Sequence, residues 1–155
     1  MYTEKDYAEI CAQLKQRLVA VITPAAVLLI MMFVSFFLRW AEGVTAALCI
    51  AGGLVLIFGI SMFVKPVYSY RQHIYHALHG RTRKTTGVFV EQEDEPVLRD
   101  GVFFRAVTIN VGEQHRDDGD RLFYFDANLP RVDWQKEDML TITSYDGRVT
   151  AWEKA

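Results

Sequence analysis

The chain has 155 residues, 51% of them hydrophobic and 23% charged, with a formal net charge of −2. This length suffices for one ordinary domain, and two cysteines without CxxC or metal-type spacing, Cys11 and Cys49, exclude a disulfide framework. The near-neutral average hides a division between long uncharged runs and strongly charged segments.

Residues 1–17 are predicted to form an amphipathic N-terminal helix. Thr3 and Asp6 resemble a capping box, with Asp in the place of Glu. Apolar residues between positions 7 and 18 recur at helical spacing and form one face. Two arrangements remain open, since this helix either continues directly into the next segment or lies on a membrane surface.

Two uncharged runs follow, at 18–38 and 44–64, each 21 residues long. A helix of that length measures about 31 Å, which matches the roughly 30 Å hydrocarbon core of a bilayer. We do not expect the first run to be a cleaved signal peptide, because it lacks an A-x-A-like site and a second run follows. We therefore predict a two-helix transmembrane hairpin over residues 18–65.

The distribution of Lys and Arg predicts the orientation of this hairpin. There are three basic residues before the first run, one in the loop at 39–43 and five between residues 65 and 84. Short flanks rich in Lys and Arg remain on the cytoplasmic side. We expect a multi-pass protein of the cell (inner) membrane with both termini in the cytoplasm.

Small residues in the second run predict a transmembrane packing face. Thr45, Gly52 and Gly59 recur every seven residues, and small side chains let helix backbones approach closely in lipid. The face packs either against the first run or against a second copy of the chain. Neither run contains a charged residue, which disfavours an ion pathway.

Residues 66–84 are predicted to form a basic juxtamembrane helix and link. Residues 65–84 contain no acidic residue and carry a net charge of +5, which suits anionic lipid headgroups. The predicted headgroup-binding residues are Lys65, Arg71, Arg81, Arg83 and Lys84.

The same segment carries His73, His76 and His79 at a spacing of three. On a helix the outer two are about 120° apart, so three of them do not easily meet one metal ion. We favour a polar interfacial helix and predict no metal site. Two histidines with a ligand such as His115, or a pH-responsive contact with the acidic domain, remain as alternatives.

Residues 85–155 are predicted to form an acidic domain of five antiparallel strands, a small β-barrel of OB-like or SH3-like type. The strands are expected near 86–91, 101–111, 121–126, 139–145 and 148–153. Asp146–Gly147 predicts a two-residue type I′ hairpin turn. A longer turn is expected at 112–120, and a connection with one short helical turn at 127–138. The whole chain is thus predicted to be an α+β membrane protein.

The charge and the apolar pattern of this domain predict what it binds. It contains 8 Lys or Arg and 15 Asp or Glu, a net charge of −7, which argues against nucleic acid. Strands two and three are apolar on both sides, so we expect the connection 127–138 to cover the outer side, with a second copy, the post-membrane helix or a partner as alternatives. The predicted partner-binding residues are Phe103, Phe104, Phe123 and Phe125.

No motif in the sequence indicates catalysis, and we predict no catalytic residue and no cofactor. Asp126 and Asp133 flank the aromatic strand three, at positions that could line a pocket, but turn and capping roles are preferred.

The order of features resembles small bacterial membrane proteins with two helices and a C-terminal cytoplasmic β-barrel. The resemblance lies in the pattern Y-R-x-x-I-x-x-x-L-x-G-R-x-R-x-T-x-G-x-F at 70–89, in R-L-F-Y-F-D at 121–126 and in the closing hairpin at 145–148. The layout is also similar to that of NfeD-type proteins, in which an OB-like domain follows membrane helices. The resemblance implies an arrangement of parts and no activity.

These observations predict a non-enzymatic, membrane-anchored binding or scaffold module. Anionic lipids and a protein partner or a second copy are its expected partners. The alternative is a homo-oligomeric membrane complex or pore assembled through the small-residue face of the second run.

Overall fold

The computed structural model describes residues 1–112 and 119–155. Most of the predicted turn at 112–120, and His115 with it, lies outside the described residues. The chain divides into two compact units. We call Ala8–Tyr68 the helical unit, and Met1–Tyr7 together with Ser69–Ala155 the sheet unit.

Three α-helices and one π-helical turn make up the first half of the chain. They are α1 (Glu4–Phe37), α2 (Glu42–Gly59), the π turn (Ile60–Val64) and α3 (Lys65–His79). In the part of the chain that the structure describes, two helices are long and apolar enough to cross a membrane, as the two uncharged runs predict. Because α1 is one continuous helix, the predicted N-terminal helix of residues 1–17 runs directly into the first apolar run.

Within the helical unit, the small residues of α2 lie against α1 of the same chain. The Thr45 hydroxyl is 2.7 Å from the Ser35 hydroxyl, so these two groups share a hydrogen bond. A Cβ added to Gly52 would lie 3.8 Å from Cβ of Leu28. A Cβ added to Gly59 would lie only 2.6 Å from Cγ1 of Val21, a separation that packed atoms do not reach. Of the two predicted uses of this face, the structure shows packing within the chain.

Replacing Gly59 with Ala should therefore weaken the helix pair, whereas replacing Gly53 with Ala should not. Both changes add helix propensity, but only the first drives a methyl group into Val21 and should cost about 1–3 kcal/mol, since nothing lies within 4 Å of a Cβ added to Gly53. The measurement is the thermal stability of the full chain in detergent. Val21→Ala should restore the stability of the Gly59→Ala variant, and equal effects at Gly53 and Gly59 would contradict this packing.

The described residues of the sheet unit form five strands in a mostly antiparallel sheet, which confirms an α+β protein. The strands are β1 (Arg83–Arg99), β2 (Val102–Asn110), β3 (Asp120–Asp126), β4 (Met139–Tyr145) and β5 (Arg148–Lys154). They lie in the order β1-β2-β3-β5-β4, and β1 also pairs with β4. Strands β3 and β5 meet through a single parallel pair, Tyr124 with Arg148.

Strand β1 is longer than the sequence pattern predicts. It begins at Arg83, inside the predicted basic link, and continues through the acidic residues that follow 91 to Arg99. A register shift between Gln92 and Pro96 accommodates the proline, which cannot donate to the neighbouring strand. The acidic composition and the proline conceal this part of the strand from a pattern of alternating apolar residues.

Two tight turns of the same type close the β1–β2 and β4–β5 hairpins. Asp146 and Gly147 have φ of 50° and 73°, which confirms the predicted type I′ geometry. Asp100 and Gly101 have φ of 52° and 79° and make an equivalent turn that the sequence analysis does not identify. The connection 127–138, described throughout, forms turns in place of the predicted helical turn.

The core of the sheet unit lies on one face of the strands. Its buried members are Phe89, Val107, Ile109, Phe123, Phe125, Trp134, Leu140, Ile142 and Val149. Trp134 comes from the connection 127–138 and its ring contacts those of Phe89 and Phe125, at 5.6 Å and 5.5 Å between centroids. The connection therefore contributes to the inner core. Phe104 lies outside this cluster, and the ring of His73 on α3 packs against it at 5.1 Å. The expectation that the connection covers the outer side of β2 is wrong at this position, where the post-membrane helix does so.

Candidate functional site

Three segments of the sheet unit bring polar side chains to one buried point. The residues of α3 that face inward, Tyr70, His73 and Ile74, follow the i, i+3, i+4 spacing of one helix face. Strand β3 ends at Asp126, and the extended N-terminus supplies Tyr2. We call Tyr2, Tyr70, His73 and Asp126 the buried polar cluster.

Asp126 is the centre of this cluster and is fully buried. Its Oδ2 accepts a hydrogen bond of 2.8 Å from the Tyr2 hydroxyl and one of 2.7 Å from the Tyr70 hydroxyl. Its Oδ1 accepts bonds of 2.9 Å and 3.0 Å from the backbone N–H and the side-chain amide of Asn128. Four donors thus compensate the loss of water around the buried carboxylate.

His73 completes a chain of donors that ends at this carboxylate. Its Nε2 lies 2.9 Å from the Tyr2 hydroxyl oxygen. Because Tyr2 gives its single proton to Asp126, Nε2 of His73 must donate to Tyr2, which places a proton on Nε2. The ring packs edge-on against Tyr2 at 5.4 Å and against Phe104 at 5.1 Å.

Burial governs the acid–base properties of the cluster. It lowers the pKa of His73 to about 4, against the opposing effect of the nearby Asp126 carboxylate. Burial, together with Asp126, raises the pKa of Tyr2 and of Tyr70 well above that of a free phenol. At neutral pH the histidine and both phenols are therefore neutral donors.

The buried polar cluster has a structural role. The carboxylate oxygens already accept four hydrogen bonds, the His73 Nε2 proton is engaged, and water does not reach Asp126. General acid or base catalysis needs a group within hydrogen-bonding distance of a substrate proton. What the cluster does is hold the N-terminus, α3 and the end of β3 together.

Next to His73 the sheet unit has an open pocket of about 370 Å³. Its lining comes from α3 and from both type I′ turns: Ser69, Gln72, His73, His76, Asp100, Tyr145, Asp146 and Arg148. We call it the α3 pocket.

Arg148 is the central charged group of the α3 pocket. Its guanidinium forms an ion pair with Asp100 and lies 4.0 Å from a carboxylate oxygen of Asp146. Among the described residues its buried Nε–H has no acceptor, and a buried N–H normally finds one. The ring of His76 stacks on Tyr145 at 5.0 Å, with an angle of 4° between the planes. Two carboxylates against one guanidinium leave the pocket with an excess of negative charge.

The three histidines of α3 have separate surroundings. His73 belongs to the buried polar cluster, His76 stacks on Tyr145, and His79 lies 3.4 Å from Glu4. In residues 1–112 and 119–155, no three His, Cys, Asp or Glu side chains come together in a way that would hold a metal ion.

The predicted headgroup-binding residues fall into two groups. Arg71 turns inward, donating to the Tyr7 hydroxyl at 3.1 Å and lying over its ring. The others are exposed: Lys65 at the start of α3, Arg81 just after this helix, and Arg83 and Lys84 at the start of β1.

The predicted partner-binding phenylalanines do not form one exposed surface, and this is a correction. Phe104, Phe123 and Phe125 are buried within the sheet unit, so a partner does not reach them. Phe123 and Phe125 alternate with outward residues and face the core, while α3 covers Phe104. Phe103 alone is exposed, at 51%.

Sequence reasoning did not identify Tyr2 and Asn128, nor the hydrogen bonds that they donate to Asp126. The sequence predicts a turn or capping role for Asp126 in preference to a place in a pocket, and its bonds to Asn128 are of the turn or capping kind. The sequence did contain one signal. Helix α3 carries several tyrosines and histidines but has no acidic residue of its own. Nothing in the local sequence around Tyr2 indicates its partner 124 positions away.

Comparisons with known proteins place this chain in no family. No family model matches it, and no match was found among the curated proteins or the solved structures.

Removing the central carboxylate should destabilise the sheet unit strongly. Asp126→Ala leaves two buried hydroxyls without an acceptor and should lower the free energy of unfolding by at least about 3 kcal/mol. The measurement is urea unfolding of the full chain in detergent, in a Trp40→Phe background in which Trp134 and Trp152 report on the sheet unit. Asp133→Ala, at an exposed position, is the matched control and should have little effect.

His73 should make the stability of the sheet unit depend on pH. Its pKa is about 4 in the folded protein, against 6.5 for an unperturbed histidine such as that of the unfolded chain. Between these values the unfolded chain binds a proton that the folded chain does not. Stability is therefore complete above pH 6.5 and falls by about 3 kcal/mol as the pH decreases to 4.

The same fluorescence experiment tests this dependence between pH 7.5 and 5. His73→Gln retains a donor and removes the titration, so its stability should fall less than that of the unchanged chain. His79→Gln, at an exposed histidine, should keep the original slope. If the His73 and His79 variants have equal slopes, His73 does not carry the pH dependence.

Proposed function

We propose that this chain is a non-enzymatic, membrane-anchored binding module with an acidic sheet domain on the cytoplasmic side of a bacterial inner membrane. The observation that carries the anchor is the outward exposure of apolar side chains in the helical unit. Only 17% and 11% of the most apolar windows of its two long helices are buried, and Ile30 and Ile57 are 60% and 65% exposed. A core helix of a soluble protein would be mostly covered, whereas lipid covers such a surface.

We propose that the five strands close into a small barrel of OB-like or SH3-like type. The support is a ring of pairings in which β1 contacts both β2 and β4, and the lone Tyr124–Arg148 pair joins β3 to β5. The likeness to NfeD-type layout stays a prediction.

We also propose that the exposed basic residues after the second apolar run contact lipid headgroups and orient the chain in the membrane. Lys65, Arg81, Arg83 and Lys84 are exposed on or near the segment that follows the second apolar run. Their charge favours the anionic inner leaflet at about 1 kcal/mol for each residue near the surface. This supports cytoplasmic termini.

We place the binding of a protein partner at the α3 pocket. The excess negative charge of its two aspartates, within a domain of net charge −7, favours a partner with a basic side chain.

A non-enzymatic role is supported by the saturated hydrogen bonding of Asp126. The alternative was an oligomer or pore assembled through Thr45, Gly52 and Gly59. We do not propose it, because α1 of the same chain already packs against that face.

Membrane anchoring is tested by washing membranes that contain the full chain with alkaline carbonate. An integral protein stays in the membrane pellet, whereas a peripheral one is released into the supernatant. Recovery of most of the chain in the supernatant would refute the anchor.

Partner binding is tested with a photo-crosslinking residue at Gln72, which is exposed at the α3 pocket. In native membranes it should capture a distinct second protein. The same residue at Met139, which is 52% exposed on β4, is the control and should not. Asp146→Asn preserves the turn preference and removes one charge, and should lower the yield several-fold. Products containing only this chain, or equal yields at both positions, would exclude the proposed pocket.

A further inference from the structure

The end of the β1–β2 hairpin exposes large apolar side chains. Leu98 and Phe103 are directly paired across the two strands and are 60% and 51% exposed, and the neighbouring Val97 is 44% exposed. Directly paired residues have side chains on the same face, in contact with each other. We call residues 97–103 the hairpin tip, and its type I′ turn holds it in one conformation.

The hairpin tip packs against a residue that follows the second apolar run closely in the sequence. Gly101 packs against Ser69 on α3, since a Cβ added to Gly101 would lie 2.9 Å from the Ser69 hydroxyl oxygen. Ser69 is five residues after Val64, the last residue of that run. Five residues of helix measure about 7.5 Å, and even fully extended they span at most about 18 Å. The headgroup layer is about 5–8 Å thick on each side of a bilayer.

The charge around the hairpin tip differs from that of the domain as a whole. Residues 97–103 contain one Arg and one Asp, a net charge of 0, within a domain of −7. Asp100 is paired with Arg148, and the guanidinium of Arg99 lies 4.6 Å from the centre of the Tyr124 ring. The nearest residue of the acidic run 91–95 lies about 10 Å from Leu98 along β1. Anionic lipid therefore does not repel the tip itself.

We propose that the hairpin tip inserts Leu98 and Phe103 into the headgroup–acyl boundary of the phospholipid bilayer, as a membrane contact separate from the two spanning helices. The inference rests on the proposed membrane anchor. Exposed apolar side chains on a narrow turn, packed against a residue that follows the end of a span by five positions, favour lipid over water. This contact would fix the orientation of the sheet domain on the membrane surface and so the direction in which the α3 pocket opens.

The test places a nitroxide label at single cysteines in the full chain, with Cys11 and Cys49 replaced by Ser and Ala. The labelled positions are Phe103, Leu98, Leu122 and Ile57, in vesicles of phosphatidylcholine and in vesicles that also contain phosphatidylglycerol. Power saturation compares collisions with oxygen, which concentrates in lipid, and with a nickel chelate, which stays in water. Leu122 is 49% exposed and matches Phe103 in exposure, but it pairs with Thr108, about 17 Å farther along β2.

Labels at Phe103 and Leu98 should collide more with oxygen than with the chelate in both lipids, and the Leu122 label should show the reverse. If the Phe103 label behaves like the Leu122 label while the Ile57 label reports hydrocarbon, the tip does not insert although the anchor stands. An aqueous Ile57 label refutes the anchor itself. Protection of Phe103 from both reagents, with spin–spin broadening, would assign the tip to a second copy. If the tip inserts only in the anionic vesicles, electrostatic attraction and not the apolar side chains drives the contact, and the proposal is wrong.

Discussion

The sheet unit depends on one buried carboxylate. Asp126 is fully shielded from water, and such a charge is tolerated only where donors replace its hydration. The donors come from Tyr2, Tyr70 and Asn128, which lie far apart along the chain or on different elements. This requirement joins the N-terminus and α3 to the end of β3 and makes them part of one compact unit with the strands.

The position of α3 on the sheet follows from the same constraint. The outer side of β2 carries Phe104, which would otherwise be an exposed aromatic residue, and His73 packs on it while its Nε2 reaches Tyr2. Apolar contact and the hydrogen-bonded cluster therefore select the same placement of the helix. This placement also forms the α3 pocket, since Ser69, Gln72 and His76 face the two type I′ turns. The α3 pocket therefore exists only because α3 is held at this place on the sheet.

The predictions from sequence succeeded where local patterns carry the information. The length of the uncharged runs 18–38 and 44–64 predicted two helices suited to a bilayer. The alternation of apolar residues around Asp146–Gly147 predicted the last hairpin. They failed where a residue's role depends on a distant neighbour. Phe104 and Phe123 have the same residue type and similar flanks, yet one lies under α3 and the other in the inner core. The second half of β1 was missed because pairing with β2 outweighs its acidic residues and Pro96.

By itself the sequence determined the division of the chain, because hydrophobic run length, charge and turn-forming residues act over a few residues at a time. It determined two apolar helices, a basic segment after them and an acidic β-rich region. Only the tertiary structure decided which face of each element is covered. That choice placed Asp126 among its donors, separated the three histidines, turned the small residues of α2 toward α1, and left Leu98 and Phe103 outside. The physical reason is that burial and hydrogen bonding join residues tens of positions apart, and a local pattern does not encode those partners.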